Sequence, residues 1–206
     1  MSSNDILVVG GYGEVGRRLV AQLEATQPNR VVVAGRHPEK ASGVRARRLD
    51  VDDVTTIEAA LDGVGVVVAC VRQSESHLLR AAVRRGIAYT SIAPPWLPPS
   101  ETDLLAAEAR RTGARVILAA GLEPGITSVL VRAGARMIRS TLIGRGQATA
   151  TAVGVGAIAD ALWSREMDAP GVWLAEQVVA AQPFLARLAA QGIVPTTEDV
   201  VVLHGS

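Results

Sequence analysis

The sequence predicts an α/β fold, namely a Rossmann-type doubly wound parallel sheet with a short, mostly helical C-terminal extension. Short runs rich in valine and isoleucine alternate with longer helical patterns over roughly the first two-thirds of the chain, which is typical of β–α–β units. The runs are almost continuously apolar, as expected for strands buried on both faces of a parallel sheet. After about residue 140 the alternation fades, which indicates the extension.

The predicted strands are short and separated by helical patterns. They span residues 6–9, 30–34, 45–49, 64–69, 88–92 and 115–119. The predicted helices lie at about 14–26, 54–61, 74–85 and 101–112. The first helix has the clearest amphipathic spacing, with Val15, Leu19 and Leu23 on one side and Arg17 and Arg18 on the other.

The remaining segments are less regular. Prolines predict a rigid surface loop at 94–99, and Ser100 is expected to cap the helix that follows. In the extension, 149–162 is predicted to be a strand that turns into a helix. Residues 182–190 are predicted to form a short helix ended by Gly192.

Composition limits the class of protein. The 206 residues are 49% hydrophobic and carry a net charge of +1, so a sizeable core is expected but no field that would recruit nucleic acid or an anionic membrane. One cysteine and three dispersed histidines argue against a disulfide framework and a zinc cluster, so no metal is predicted. The sequence has neither a basic leader nor the roughly 18 apolar residues of a membrane helix, so we expect a cytoplasmic protein.

A glycine-rich turn joins the first strand to the first helix. Gly11, Gly13 and Gly16 satisfy G-x-G-x-x-G, and Gly10 with the last two satisfies the looser G-x-x-G-x-x-G. In dinucleotide-binding turns, one glycine permits the tight bend, one lets the backbone approach the diphosphate and one lets the helix pack closely. The phosphates bind amide groups at the positive end of the helix. The predicted cofactor contacts of this turn are Gly11, Tyr12, Gly13, Glu14 and Val15.

The end of the second strand indicates which dinucleotide is bound. A site that prefers NAD(H) usually has an acidic residue there for the ribose 2′-hydroxyl, but this chain has Arg36, with Lys40 one turn later. A guanidinium forms paired hydrogen bonds with a 2′-phosphate, so we predict NADP(H) in preference to NAD(H). The alternative is a solvated arginine at a strand end.

Further cofactor contacts are predicted after the third and fourth strands. Asp50 and Asp52, with Val51 between them, either contact the adenine edge or cap the next helix. Cys70 and Arg72 follow the fourth strand, at the edge where ligands bind in open α/β sheets. The alternatives are a small core residue for Cys70 and solvent exposure for Arg72. Ser91, on the fifth strand, is expected at the same edge of the sheet. The sequence leaves the same two alternatives for it, a ligand contact or a structural role.

The catalytic residues are not predicted. Neither Tyr12 nor Tyr89 is followed by a lysine four residues later, so the Tyr-x-x-x-Lys pair of short-chain dehydrogenases is absent. The H-E-x-x-H and G-x-S-x-G motifs are absent too.

Three segments of the chain resemble the saccharopine dehydrogenase-like reductases. The first is ILVVGGYGEVGRRL with the following VVVAGRHPEKA, and the second is AAVRRGIAYTSIA, similar to the family's helix, glycine turn and tyrosine-containing strand. The third is GARVILAAGLEPGITSVLV, similar to the family's sixth strand, its Gly-x-x-Pro-Gly turn and the next helix. The likeness covers about residues 5–138 and resumes at PGVWLAEQVV and the closing helix.

The resemblance implies a Rossmann domain and part of a second region. Ser91 stands where the family commonly has an aspartate, and only a few residues stand where family members carry a large substrate-binding and dimerising domain. We therefore divide the chain into residues 1–140, a dinucleotide-binding domain, and 141–206, a remnant of the substrate and dimerisation region that packs on it.

The implied function is that of an NADP(H)-dependent oxidoreductase acting on a small carbonyl or imine, with segments 121–125 and 94–99 forming walls over the nicotinamide. Non-redox chemistry such as cyclisation, elimination or isomerisation, or a non-catalytic NADP-binding module, are the alternatives. Apolar residues of the extension predict a homodimer surface, or else an ordinary layer folded back on the sheet. They are Val153, Val155, Ile158, Leu162 and Trp163.

Overall fold

A computed structural model of the chain describes residues 5–95, 97–121, 125–133, 138–143 and 146–199. Its strands are β1 (Asp5–Val9), β2 (Val31–Gly35), β3 (Arg45–Arg48), β4 (Val64–Ala69), β5 (Ala88–Ser91), β6 (Arg115–Leu118), β7 (Ile138–Ile143), β8 (Gly171–Leu174) and β9 (Val194–Asp199). Seven strands form one parallel sheet in the order β3-β2-β1-β4-β5-β6-β8, and β7 and β9 form a separate antiparallel pair. The predicted Rossmann-type doubly wound sheet is confirmed.

Helices cover both faces of the sheet. They are α1 (Glu14–Thr26), α2 (Val54–Ala60), α3 (His77–Arg84), α4 (Pro99–Thr112), α5 (Ile126–Ala133), α6 (Gln147–Trp163), α7 (Ala175–Val178) and α8 (Ala181–Ala190). Apolar residues of α1, α5, α6 and α8 pack on one face and those of α2, α3 and α4 on the other, so two cores enclose the sheet. Among the described residues, no helix has the length and apolar character that a membrane crossing requires.

The strand order reverses at β1, which lies between β2 and β4. Connections on the two sides of β1 run in opposite directions, and this leaves a crevice at the carboxyl ends of β1 and β4. The loops that follow β1, β2, β4 and β5 all open on this edge of the sheet.

Strand β3 departs from the prediction of a strand buried on both faces. It is the edge strand beside β2, and its arginines are mostly exposed. Arg45 and Arg47 reach the carboxylate of Asp5 on β1, with N···O distances of 2.7 and 3.3 Å. Charged side chains are tolerated at an edge, where they also discourage pairing with another sheet.

The start of α4 also differs from the prediction. The helix begins at Pro99, with Pro98 as the N-cap residue and no side-chain hydrogen bond to the cap. Ser100 therefore lies inside the first turn. Proline is favoured at the first position of a helix because its fixed φ is already helical and its missing amide hydrogen has no partner there.

The extension adds β8 to the edge of the parallel sheet, and its longest element is the helix α6. The segment predicted to be a strand turning into a helix is a single helix, α6, buried from Ala150 to Leu162 except at Asp160. It packs against α1, β4 and β5. Its apolar side chains are thus covered as an ordinary layer, which was the alternative prediction, and they form no exposed patch. The homodimer and the division at residue 140 stay predictions.

Candidate functional site

The glycine-rich turn lies between β1 and α1. Gly10 adopts φ +79°, a conformation that favours glycine, and its amide donates to the carbonyl of Ala34 at 2.7 Å. The tight bend therefore falls on Gly10, as in the looser of the two glycine patterns. Gly11 has an ordinary φ and is buried against Val33 instead.

The other two glycines bring α1 close to the turn. A Cβ on Gly16 would overlap the carbonyl oxygen of Gly10, and a Cβ on Gly13 would lie 3.2 Å from the same oxygen. Gly13 is the N-cap residue of α1 and makes no side-chain cap hydrogen bond. The first-turn amide groups of Glu14 and Val15 have no intrahelical acceptor. The turn thus has the small residues and free amide groups that a diphosphate requires.

Tyr12 connects this turn to the end of β2. Its ring lies against Gly35, where a Cβ would overlap the phenol, and its oxygen accepts a hydrogen bond from the amide of His37 at 3.3 Å. Through these two contacts, the half-buried Tyr12 helps to hold the segment that carries Arg36.

Arg36 and Lys40 lie at the carboxyl end of β2, where the sequence predicted them. Both side chains are exposed, and neither forms an ion pair with a residue in the described part of the chain. The nearby Glu39 carboxylate is 3.1 Å from His37 Nδ1. Two cations are therefore available for a phosphate at this end of the crevice.

Neither Asp50 nor Asp52 caps the next helix, although capping was one of their two predicted roles. The cap is Asp53, whose carboxylate accepts from the amide of Thr55 at 2.9 Å. The Asp50 carboxylate accepts from the amide of Asp52 at 3.2 Å, while Val51 packs on the core under α2 and α3. The cofactor role predicted for Asp50 and Val51 stays a prediction.

A hydrogen bond that the sequence did not indicate joins the loops after β3 and β4. The hydroxyl of Ser74 donates to the carboxylate of Asp52 at 2.8 Å. Because serine and aspartate are common in any loop, no signal in the sequence pairs them.

Cys70 and Arg72 follow β4 at the crevice. The Cys70 amide donates to the carbonyl of Val9 at 2.8 Å, and Val71 packs so close to Gly10 that a Cβ there would lie 2.5 Å from its methyl group. Arg72 is exposed, with no hydrogen bond or ion pair to the described residues. Burial raises the pKa of the Cys70 thiol to about 12, so the thiol is neutral and unsuited to be a nucleophile.

Cys70 should therefore resist alkylation in the native protein. At pH 8 we expect iodoacetamide to label it more than about 100-fold more slowly in the native protein than in denaturant, because the thiolate fraction falls with the raised pKa. Since Cys70 is the single cysteine of the chain, the mass shift of the intact protein reports it directly. Equal labelling rates in the two states would show an accessible thiolate and contradict this picture.

A buried hydrogen bond connects the loop after β4 to strand β5. Gln73 Nε2 donates to the hydroxyl of Tyr89 at 2.8 Å, and Tyr89 is fully buried, which raises its pKa to about 12. Ser91 is buried too, and its hydroxyl has no partner among the residues described. Tyr89 thus stays protonated and is not exposed to a ligand.

A cleft of about 480 Å³ opens beside the glycine-rich turn. It is lined by residues from the first turns of α1 and α6, by the segment after β5, and by Gly121. The lining residues are Glu14, Val15, Arg18, Ile92, Ala93, Gly121, Gly146, Gln147, Ala148, Thr149 and Thr151.

The lining of the cleft includes only part of the segments predicted to form walls over the nicotinamide, and that prediction stays untested. Of the expected segments 94–99 and 121–125, Gly121 alone is among its lining residues, and 122–124 lie outside the described residues. The start of α6 forms another wall, and the sequence analysis missed it because 149–162 was predicted to begin as a strand. Gly146, followed by a polar segment with two threonines, is the signal that could have indicated a helix start. In the described part of the chain, histidine, cysteine and carboxylate side chains form no cluster suited to a metal ion.

The fold, the glycine-rich turn and the cations after β2 define an NADP-binding Rossmann protein. Comparison with protein families agrees: the family model described as the saccharopine dehydrogenase NADP binding domain matches residues 6–117, more than half of the chain. The chain belongs to this family. The predicted preference for NADP(H) is confirmed. No curated protein sequence matches the chain.

Solved structures share the fold at low sequence identity. The chain is similar to saccharopine dehydrogenase (L-Glu forming) from Saccharomyces cerevisiae, with 24% identity and a TM-score of 0.55 over 63% of this chain and 30% of that chain. It is similar to an NADPH-dependent quinone oxidoreductase from Escherichia coli, with 19% identity and a TM-score of 0.50 over 93% and 76%. It also resembles a triphenylmethane reductase from Citrobacter sp. complexed with NADP(H), with 17% identity and a TM-score of 0.51 over 90% and 75%.

Proposed function

We propose that the chain is an NADP(H)-dependent oxidoreductase that reduces or oxidises a small carbonyl or imine. The observation that carries the proposal is the cleft beside the glycine-rich turn. Arg36 and Lys40 lie on the β2 side of the turn and suit the adenosine 2′-phosphate. A dinucleotide bound across the crevice then extends its nicotinamide toward β4 and β5, and the cleft lies on that side.

The size of the cleft suits a reaction between the cofactor and a small molecule. Its volume of about 480 Å³ falls within the roughly 300–1,000 Å³ of small-ligand sites. Ile92, Ala93 and Gly121 give one wall with little polar character. Thr149 and Thr151 add hydroxyl groups on the opposite wall.

When bound, NADPH supplies a hydride for a carbonyl or imine carbon. The residues of the chain hold the cofactor and orient the substrate. Glu14 and Arg18 are the titratable side chains in the described lining of the cleft, and both lie at the α1 wall. We therefore assign the accompanying proton to water in the open cleft.

The test is consumption of NADPH with a panel of small aldehydes, ketones and imines, followed at the nicotinamide absorbance. We expect turnover with at least one member of the panel. Substrate turnover without any change in that absorbance would overturn the proposal in favour of non-redox chemistry. Binding of NADPH with no turnover across the panel would favour a non-catalytic module.

A further inference from the structure

We infer that a second cavity, at the amino-terminal edge of the parallel sheet, binds the phosphate group of a small organic molecule. The cavity has a volume of about 470 Å³, and its lining combines three arginines with an apolar surface: Arg85, Arg115, Arg165, Leu162 and Trp163. The start of β4 and the turn before β5 complete the lining. The cavity thus lies at the opposite ends of the strands from the cofactor crevice, and the inference does not depend on the proposed function.

Arg115, the first residue of β6, is the most buried of the three cations. Its side chain is only 11% exposed, and its Nη1 donates to the carbonyls of Leu162 and Met167 at 3.0 and 3.4 Å. Burial lowers the pKa of the Arg115 guanidinium and repulsion from Arg165 lowers it further, while the attraction of Asp168 is the smallest of the three effects. An anion in the cavity would therefore stabilise this buried charge.

Arg165 follows the end of α6 in a backbone conformation that is unusual for an arginine. Its φ is +59°, at a position after a helix that usually has glycine, because glycine adopts this conformation without strain. The guanidinium forms no hydrogen bond with the described residues, and its Nη1 lies 3.8 Å from the carboxylate of Asp168. A binding role of the side chain accounts for an arginine at this position.

The carboxylates near the cavity do not occupy the space between these two arginines. Arg85 is already paired, because its guanidinium donates to the carboxylates of Glu58 and Asp62. Oδ1 of Asp168 lies 3.6 and 3.8 Å from the other two guanidinium groups, which is beyond hydrogen-bond distance. The described lining of the cavity includes arginines but no acidic residue. The cavity therefore favours an anionic ligand.

The arrangement favours a phosphate ester over a carboxylate. One guanidinium suffices to pair with a planar carboxylate, whereas the oxygens of a phosphate can accept from two guanidinium groups at once. Trp163 and Leu162 provide apolar surface beside the arginines, and this surface suits the carbon part of the ligand. The volume of the cavity also falls within the roughly 300–1,000 Å³ of small-ligand sites.

The test follows the indole N–H signal of Trp163 by NMR during titration with phenyl phosphate. The chain has three tryptophans, and the signal that disappears in Trp163→Phe belongs to Trp163. Because this signal reports the arginine-lined cavity, phosphate bound in the cofactor crevice does not interfere. We expect phenyl phosphate to bind at least about tenfold more tightly than the neutral phenol, and more tightly than benzoate. If phenyl phosphate leaves the signal unchanged, or if phenol or benzoate binds equally well, the inference is overturned.

Three variants locate the phosphate. Arg165→Gln should weaken phenyl phosphate binding about tenfold, because it removes hydrogen bonds to a charged group. Arg111→Gln is the matched control: Arg111 is 72% exposed against 74% for Arg165, and it too lies near a carboxylate three residues away, but it does not line the cavity. It should keep the parental affinity. Asp168→Asn should tighten binding about threefold, because it removes a carboxylate that competes for the same two arginines.

Thermal unfolding of each variant separates binding from stability. The ion pair of Arg165 is exposed and long, so Arg165→Gln should keep a melting temperature close to that of the parent protein. If Arg165 served only the negative end of α6, its replacement would lower the melting temperature and leave the affinity for phenyl phosphate unchanged, and the inference would be overturned. Weaker binding by Asp168→Asn would overturn it as well.

Discussion

Gly13→Val should reduce the affinity for NADPH on the order of 100-fold while leaving the chain folded. In the proposed site the diphosphate lies against the backbone of Gly13, and a branched side chain there would exclude phosphate oxygens from the first-turn amide groups. Those charge-assisted hydrogen bonds would be lost together. The fold should persist because Gly13 is exposed, has an ordinary φ and meets only the Gly10 oxygen at 3.2 Å. Fluorescence titration with NADPH and thermal unfolding are the measurements.

Ala25→Val is the matched control for this experiment. It adds comparable bulk at an exposed position near the other end of α1 and should leave NADPH affinity unchanged. Unaltered NADPH binding by Gly13→Val would mean that the diphosphate does not lie on the glycine-rich turn, and the proposed site would have to be abandoned.

Arg36→Asp should weaken NADPH on the order of 50-fold and NADH by less than about threefold. The substitution removes a guanidinium that can pair with the 2′-phosphate and puts a carboxylate in its place, which repels the phosphate but can accept a hydrogen bond from a ribose hydroxyl. Arg36 is exposed and without an ion pair to the described residues, so little stability should be lost. Parallel titrations with the two reduced cofactors measure the change in preference.

Arg110→Asp, on the exposed side of α4, makes the same change of charge away from the crevice and serves as the control. It should affect the two cofactors equally and slightly. Equal losses of NADPH and NADH affinity in Arg36→Asp would show that Arg36 does not bind the 2′-phosphate. Lys40 would then be the next residue to test.

The amino-acid sequence by itself determined the Rossmann sheet, the glycine-rich turn and the cations that follow β2. These features depend on local patterns, because an apolar run, a glycine spacing or a charge after a strand is readable within a few residues. The first helix is the clearest case, since its amphipathic spacing and the preceding glycines both predict a start at residue 14, where α1 begins.

Only the tertiary structure decided that Gly10 makes the bend, that Asp53 rather than Asp50 caps α2, and that β3 is an exposed edge. It also decided that α6 is one helix whose first turn forms a wall of the cleft. Such features depend on contacts between segments distant in the chain. The Ala- and Val-rich α6 is apolar on every side, so its sequence pattern does not distinguish a helix from a strand. Packing against α1 and the sheet decides that the segment is a helix.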